Sequence, residues 1–475
     1  MKKCFLLISL CVAMCACNEN TFINEPVQEN DLVMSRSGET PSSENYTVTP
    51  EMVCKYLNIA RKGKTVDSLT PVIENGDTLA YVAQYTDSLG WDLISGDRRL
   101  DPVLANSTIG VLNLSDTISP AVGAVKGMIY TVKTIKESSD VQKNPIWKAL
   151  EPKEKLINNK PQARGIGFGK WVELDTTYES ETYIKPHIIT TKWHQYYPWN
   201  IACPLIQMAP AKAGCAPIAT SQIIDNYRRN NYRDIDKIPT GYIVDDNGKL
   251  DFDEGNTSVW SQIRDTASSN DDENMPTAIF ISYIGDLLDT EYALEESITA
   301  PYKEIEVLEQ FGLAGTLMNS YNYNYVRNSV GANRPVLVSC GANENSSHLF
   351  IIDSYKIHTE RIYANRKWDP TIEITDWNDY QEPPVEASNS KDGYVYETRQ
   401  IGNSERCYIS MNWGWENVND VYYMAYSYTS SINYGEYSSP EYSYVYPPNW
   451  SVRLNGQNYN YNQFQYMIYN IHIMD

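Results

Sequence analysis

The alternation of apolar and polar residues divides the chain into a polar N-terminal stretch and two foldable regions. Residues 18–47 are rich in Asn, Glu, Ser and Pro and show no periodicity, so we predict a flexible tether there. A helix is then expected with Thr49 as its N-cap and Pro50 in its first position, because apolar residues recur at helical spacing from Met52 to Ala60.

Three β-like segments follow this helix, separated by turn residues. They are Asp77–Tyr85, Gly90–Ser95 and Asp101–Leu112. Together with the helix they predict a small α+β module over residues 48–150.

Residues 151–167 are charged and polar, which predicts an exposed linker of the kind where proteolysis concentrates. A larger region covers residues 168–475, with a helix after Gly214. Its β-like segments come later in the chain: Pro335–Cys340, Leu349–Tyr355, Arg406–Trp413 and Tyr459–Ile473. Helices first and strands later predict an α+β domain. We expect residues 357–405 to form an inserted polar surface loop.

The first residues have the pattern of an export signal. Two lysines after Met1 precede an apolar stretch from Phe5 to Met14, which is too short to span a bilayer. A small residue before Cys17 resembles a bacterial lipobox, so we expect residues 1–17 to be a lipoprotein signal peptide and Cys17 to be lipidated. Cys15 is the weaker candidate, and an ordinary cleaved signal is the alternative. The expected location is the outer membrane or cell surface, with membrane contact only through the lipid, or release after processing.

Composition narrows the function classes. The chain of 475 residues is too long to fold around a single hydrophobic core, because such cores stop growing at roughly 250–300 residues. The net charge of −21 argues against a nucleic-acid partner. Five cysteines lie beyond the export segment, and an odd number leaves at least one free thiol. Their pairing stays open. No C-x-x-C pair occurs, so we expect no metal site.

Cys215 is the candidate nucleophile. Gly214 permits a tight turn before it, and Pro217 suits the first turn of a helix. The positive end of the helix dipole favours a thiolate at such a position. Taken alone, this pattern equally suits an inert buried cysteine.

Three further residues supply the groups that a thiol nucleophile needs. His348 begins the apolar run His-Leu-Phe-Ile-Ile, where it would serve as the base. Asn412 alternates with apolar residues in a predicted strand, and its amide oxygen could accept a bond from the imidazole. Gln195 could form an oxyanion site with the backbone N–H of Cys215. Each residue also has a plain structural interpretation.

The combination resembles the streptopain family of cysteine peptidases. The matching motifs are Trp193-x-Gln195, Pro198-x-Asn200, Gly214-Cys215-Ala216, His348 at a strand, and Asn412-Trp413-Gly414-Trp415. In the first module, Leu79–Val82, Gly90–Arg99 and Pro102–Ala105 resemble the inhibitory pro-region of that family.

The resemblance implies a papain-like catalytic domain, with a helical part and an antiparallel β-barrel-like part, behind an inhibitory pro-domain. It implies that Trp413 supports the His–Asn pair and the oxyanion site. It assigns Ser297 and Ser347 to substrate binding. The glycines usual in that family before the first of these serines and before the histidine are replaced by Glu295 and Glu296 and by Ser346 and Ser347, which puts the cleft wall in doubt.

The resulting expectation is a secreted cysteine endopeptidase made as a zymogen. It would hydrolyse protein or peptide substrates through a thioester at Cys215, with its own pro-domain as inhibitor and no cofactor. Two alternatives stay open: another thiol chemistry, such as acyl transfer or amide hydrolysis, and a non-catalytic adhesin or binding module on the same fold.

Overall fold

The described residues begin at Tyr46. The computed structural model describes residues 46–61, 63–86, 89–116, 120–137, 144–150, 167–230, 239–244, 250–254, 261–343, 346–374, 390–391, 394–414, 421–431, 441–445, 450–454, 457–461 and 463–474. The expected signal peptide, Cys17, the tether and nearly all of the linker at 151–167 lie outside these residues.

The helices of the described chain are spread over both predicted regions. They are α1 Pro50–Ala60, α2 Pro120–Glu137, α3 Pro145–Leu150, α4 Cys215–Arg229, α5 Asp271–Leu287, α6 Lys303–Gln310 and α7 Tyr323–Gly331.

The strands range from two-residue pairs to long ribbons. They are β1 Val66–Glu74, β2 Asp77–Tyr85, β3 Trp91–Ser95, β4 Val103–Ser107, β5 Gly167–Lys185, β6 Leu205–Ile206, β7 Ala209–Pro210, β8 Pro239–Val244, β9 Leu250–Glu254, β10 Leu313–Met318, β11 Val336–Asn343, β12 Ser346–Ile374, β13 Ser390–Lys391, β14 Tyr394–Asn412, β15 Val421–Ser431, β16 Glu441–Val445, β17 Trp450–Leu454, β18 Gln457–Tyr461 and β19 Gln463–Ile473.

The first module begins as its sequence pattern predicts. The Thr49 hydroxyl caps α1 by accepting the Met52 N–H at 3.4 Å. Strands β1 to β4 then pair in order as antiparallel neighbours. Local patterns predict α1 and the strands β2 to β4, because capping and strand alternation are local properties. Strand β1 was not predicted.

One antiparallel sheet joins this module to the larger region. Its main path is β1-β2-β3-β4-β15-β14-β12-β11-β19-β10. The junction is the pairing of β4 with β15, where Ala105 faces Tyr423. The chain from Tyr46 onward forms one compact unit. A domain boundary near residue 150 therefore stays a prediction from sequence.

Two hydrophobic cores lie on opposite sides of strands β11 and β12. The first core contains the helices of the N-terminal module together with Cys340, Phe350 and Trp413. The second contains α4, α5 and α6 together with Leu349 and Ile351. Alternate residues of β12 enter alternate cores, as strand geometry requires. The predicted α+β fold, with a helical part against antiparallel strands, is confirmed.

The expected surface loop at 357–405 is wrong for its described residues. Strands β12 and β14 continue beyond the cores as a ribbon, paired from Ile351 with Asn412 out to Trp368 with Val395. Strand β5 pairs along the other edge of β12. Alternate residues of β12 along this ribbon are buried, and they include the polar His358 and Glu360 as well as Ile362, Ala364 and Trp368. Because polar residues occur on both faces, the composition of the ribbon resembles that of a loop.

Candidate active site

Cys215 lies at the N-terminus of α4, as predicted. Gly214 is the N-cap residue, with φ of 92°. A Cβ atom there would lie 3.2 Å from Pro217 Cδ and 3.5 Å from Ser297 Cβ. The turn therefore needs glycine both for its backbone conformation and for space. It directs the half-buried thiol toward a cavity.

The electrostatic setting of Cys215 differs from the expected one. Burial is the main cause that raises the pKa of its thiol to about 11. The carboxylates of Glu296 and Glu304 raise this pKa further, whereas the Leu349 N–H, 3.4 Å from Sγ, opposes the rise. In this arrangement burial and the negative neighbours favour the thiol over the thiolate.

His348 lies on the strand that contacts Cys215, and its ring packs in the first core. Leu349, the next residue, belongs to the core beside Cys215. The His348 ring instead lies near Phe350 and Trp413 of the first core, at centroid distances of 6.3 and 5.9 Å. Because consecutive side chains of a strand point to opposite faces, the His348 ring lies on the side of β12 that packs in the first core.

The imidazole is held there by burial and by a backbone bond. His348 Nε2 donates to the Trp413 carbonyl at 3.0 Å. Burial lowers the pKa of His348 to about 4, and this bond opposes the shift. Asn412 lies close by, and its amide oxygen accepts the Gly414 N–H at 3.1 Å. The expected histidine–asparagine bond stays a prediction.

The end of β14 nevertheless lies against the helix of the candidate nucleophile. A Cβ atom on Gly414 would come within 3.0 Å of Ile218 on α4. Trp413 is fully buried, with its ring centroid 4.7 Å from that of Phe350. Asn412 and Trp413 are therefore near α4 and next to the strand that carries His348.

Gln195 lies beside the turn that precedes Cys215. Its backbone carbonyl accepts the Ala213 N–H at 3.0 Å, and the residue is largely buried. The short β6–β7 hairpin and the turn around Trp199 separate these two segments in sequence. Tertiary folding brings them together.

The two serines expected to bind substrate have different settings. Ser297 lines the cavity beside Cys215, and its hydroxyl donates to the Lys212 carbonyl at 2.6 Å. It also accepts the Ala293 N–H at 3.0 Å. Ser347 pairs with Gly341 through the β12–β11 ladder.

The cavity itself has a volume of about 400 Å³. One side is formed by Cys215 and Leu349, and the facing side by residues 296–301 and by Tyr466 of β19. Its size is within the range of small-ligand pockets, roughly 300–1,000 Å³.

Glu304 is the lining residue that the motif search missed. Its signal was present, because Glu304, Val307 and Leu308 share one face of α6 and all three are buried. A carboxylate on the apolar face of a helix is a feature that sequence periodicity can detect.

The remaining cysteines carry no disulfide. Cys54, Cys203, Cys340 and Cys407 are free thiols, and all but Cys54 are buried. Within the described ranges, no three His, Cys, Asp or Glu side chains cluster as metal ligands. No helix in those ranges is long and apolar enough to cross a membrane.

Comparison with known proteins agrees with the motifs. Residues 193–372 match the model of the Peptidase C10 family. The resemblance to the streptopain family is confirmed. This C10 region, residues 193–372, includes Gln195, Cys215, Ser297 and His348, and it ends before Asn412 and Trp413.

Two solved structures are also similar to the chain. One is a mutant prointerpain A fragment from Prevotella intermedia, with 17% identity and a TM-score of 0.45, covering 84% of this chain and 97% of that one. The other is active wild-type interpain A from the same organism, with 15% identity and a TM-score of 0.35, covering 60% and 94%. No curated protein matches the chain.

Proposed function

We propose that the protein is a cysteine endopeptidase made as a latent precursor, with Cys215 as nucleophile and His348 as base. The carrying observation is the contact between the Leu349 N–H and Cys215 Sγ. It joins the N-terminus of α4 to the residue directly after His348.

In the active arrangement, the Cys215 thiolate attacks the peptide carbonyl and forms a thioester. Imidazolium His348 gives its proton to the leaving amine, and the neutral ring then activates the water that releases the acid. Asn412 orients the ring and Trp413 shields it. The Gln195 amide and the Cys215 N–H donate to the oxyanion, an interaction of about 3–4 kcal/mol per donor in known cases.

Latency follows from the packing of the N-terminal module. Its helices share a core with the strand face that carries the His348 ring. Tyr423 of β15 donates to the Ala121 carbonyl of α2, and Tyr423 also bonds Trp413. Trp413 in turn accepts the imidazole N–H. This series of contacts supports a pro-domain that packs against the strands carrying the base and its neighbours until the module leaves.

The arrangement also disfavours the thiolate. A thiol with a pKa of about 11 is almost entirely protonated at neutral pH. Once imidazolium pairs with the sulfur, the thiolate becomes the favoured form. The protonation states of Cys215 and His348 therefore change together on activation.

The test is digestion of casein by the 18–475 protein before and after limited trypsin treatment and trypsin inhibition. Only the processed protein should digest casein, and iodoacetamide should stop the reaction. The same sample made with Cys215→Ala controls for residual trypsin. Digestion by that variant at the wild-type rate would refute the assignment.

Two alternatives are addressed by the same preparation. A non-catalytic binding module would digest nothing after processing. A thiol acyl transferase or amidase would turn over small amides and spare denatured proteins. The cavity around Cys215 favours an enzyme, because a binding module has no need of a cysteine at its wall.

We further propose export as a lipoprotein anchored through Cys17. The apolar stretch before this cysteine supports the proposal. Mass spectrometry of the N-terminal peptide from a bacterial host would find an acylated Cys17, and an unmodified residue there would contradict it.

A further inference from the structure

The cavity beside Cys215 carries an unusual concentration of acid. Four of its lining residues are carboxylates: Asp289, Glu291, Glu296 and Glu304. No Lys, Arg or His is among the described residues that line it. A polar cavity lined by one sign of charge attracts the opposite charge from solution.

Two of these four carboxylates already have a lysine side chain nearby as a counter-charge. Lys303 lies 3.0 Å from Asp289, whose side chain is 71% exposed. Lys212 stabilises the charged form of Glu296 and so opposes the effect of burial on its pKa. These two carboxylates are therefore at least partly balanced without a ligand.

Glu304 differs from them. It is 2% exposed and accepts the Tyr466 hydroxyl bond at 3.0 Å. Among the described residues it forms no ion pair. Burial raises the pKa of its carboxyl to about 7, while its own backbone N–H and the Tyr466 hydroxyl oppose the rise. A buried carboxylate without a counter-charge is costly, and pairing with a cation would relieve that cost.

Glu304 lies close to the candidate nucleophile. Glu304 and Glu296 both act electrostatically on Cys215, so they lie near the attacked bond of any bound peptide. All lining residues fall between Asp289 and Tyr466 or on α4, outside the N-terminal module. The cavity therefore stays with the enzyme when the module leaves.

We propose that this cavity binds a basic side chain of the substrate, Lys or Arg, next to the bond that Cys215 attacks, with Glu304 as its counter-charge. The inference rests on the proposed peptidase activity. It makes Glu304 a specificity-determining residue. The long, flexible stem of Lys or Arg suits a cavity whose lining includes the apolar residues Ile298 and Leu349 and a buried acid.

The experiment measures kcat/KM of the processed enzyme on quenched fluorescent peptides. Each peptide carries Lys, Arg, norleucine or Glu at one of the two positions on the acyl side of the cleaved bond. Norleucine keeps the length of lysine without its charge. At one position we expect kcat/KM for the Lys and Arg peptides to exceed that for the norleucine peptide by at least about tenfold. The Glu peptide should have the lowest kcat/KM. Processed Cys215→Ala protein provides the blank for trypsin.

Glu304→Gln separates charge recognition from support of the fold. The amide keeps the size of the side chain and an acceptor for Tyr466. The ratio of kcat/KM for the Lys peptide to that for the norleucine peptide should fall by about 30-fold or more. Glu304→Asp, which keeps the charge, should restore part of the ratio. Glu306→Gln, on the exposed side of the same helix, should leave it within about twofold.

The outcomes distinguish the two proposals. If casein is digested but norleucine is cleaved as well as Lys at both positions, the specificity assignment is wrong and the peptidase stands. An equal loss by Glu304→Gln on every peptide would assign Glu304 a structural role only. This wild-type comparison decides the matter even if the variant fails to fold. If processed protein digests neither casein nor peptides, both proposals fail.

Discussion

Protonation of His348 should loosen the latent arrangement, and the size of the effect follows from its burial. The ring is 6% exposed, and burial lowers its pKa from 6.5 to about 4. The unfolded chain therefore binds this proton at a higher pH than the folded chain does. Stability from the neutral ring is complete above the unfolded pKa and is lost as the pH falls toward the folded one.

The linkage relation gives the magnitude. When the pH falls from about 7.5 to about 4.5, the free energy of unfolding of the precursor should decrease by about 2.5 kcal/mol more than that of a variant without the titrating ring. The groups that face the imidazole are Phe350 on its own strand, Cys340 on β11 and Trp413 on β14. None of these three is charged at those pH values, so the shift belongs mainly to desolvation.

Urea unfolding of 18–475 Cys215→Ala, with and without His348→Phe, measures the difference. The cysteine change prevents self-digestion. Ile94→Val is the control, because it weakens the same core without removing a titrating group, and Ile94 is not among the groups that face the imidazole. It should shift the unfolding free energy by the same amount at both pH values. NMR titration of the five histidine rings reports the pKa directly. A His348 pKa near 6.5, or equal pH slopes with and without His348→Phe, would refute a buried neutral ring.

Four further outcomes follow from the site. In a Cys54→Ser background, iodoacetamide should label Cys215 slowly in the precursor and rapidly after processing, as counted by peptide mass spectrometry; equal rates would contradict a thiol held protonated. Limited trypsin should cut near residues 165–170, and purified 48–150 module added back to the processed enzyme should inhibit casein digestion; full activity of uncut protein would remove the latency argument. His348→Ala should lower kcat about as much as Cys215→Ala, because the two act as a unit, whereas Asn412→Ala should cost less. Gln195→Ala should lower kcat by about 10²–10³ with little change in KM, and a change confined to KM would assign Gln195 to substrate binding.

Local features of the fold were accessible from the sequence. The cap at Thr49, the strands over 77–85 and 91–95, and the start of α4 at Cys215 all follow from short-range patterns. Capping, alternation and the special conformation of glycine act within a few residues, so the sequence carries them directly.

The long ribbon of β12 and β14 could not be predicted from local sequence patterns. Residues 357–374 and 394–405 are polar on much of both faces, which composition cannot distinguish from a loop. Their strand structure comes from pairing with β5, whose residues precede them by more than a hundred positions. Such non-local hydrogen bonds leave little trace in local hydrophobicity.

In the candidate site, too, some features follow from the sequence and others only from the tertiary structure. The sequence alone determined which side chains are available, namely Cys215 at a helix start, His348 at a strand and Asn412 at the end of another. Tertiary structure decided how they face. The two sides of β12 enter different cores, and the His348 ring lies beside Phe350 and Trp413 of the core that the N-terminal module shares. The burial of Glu304 without a cation was decided in the same way, because burial depends on neighbours from distant parts of the chain.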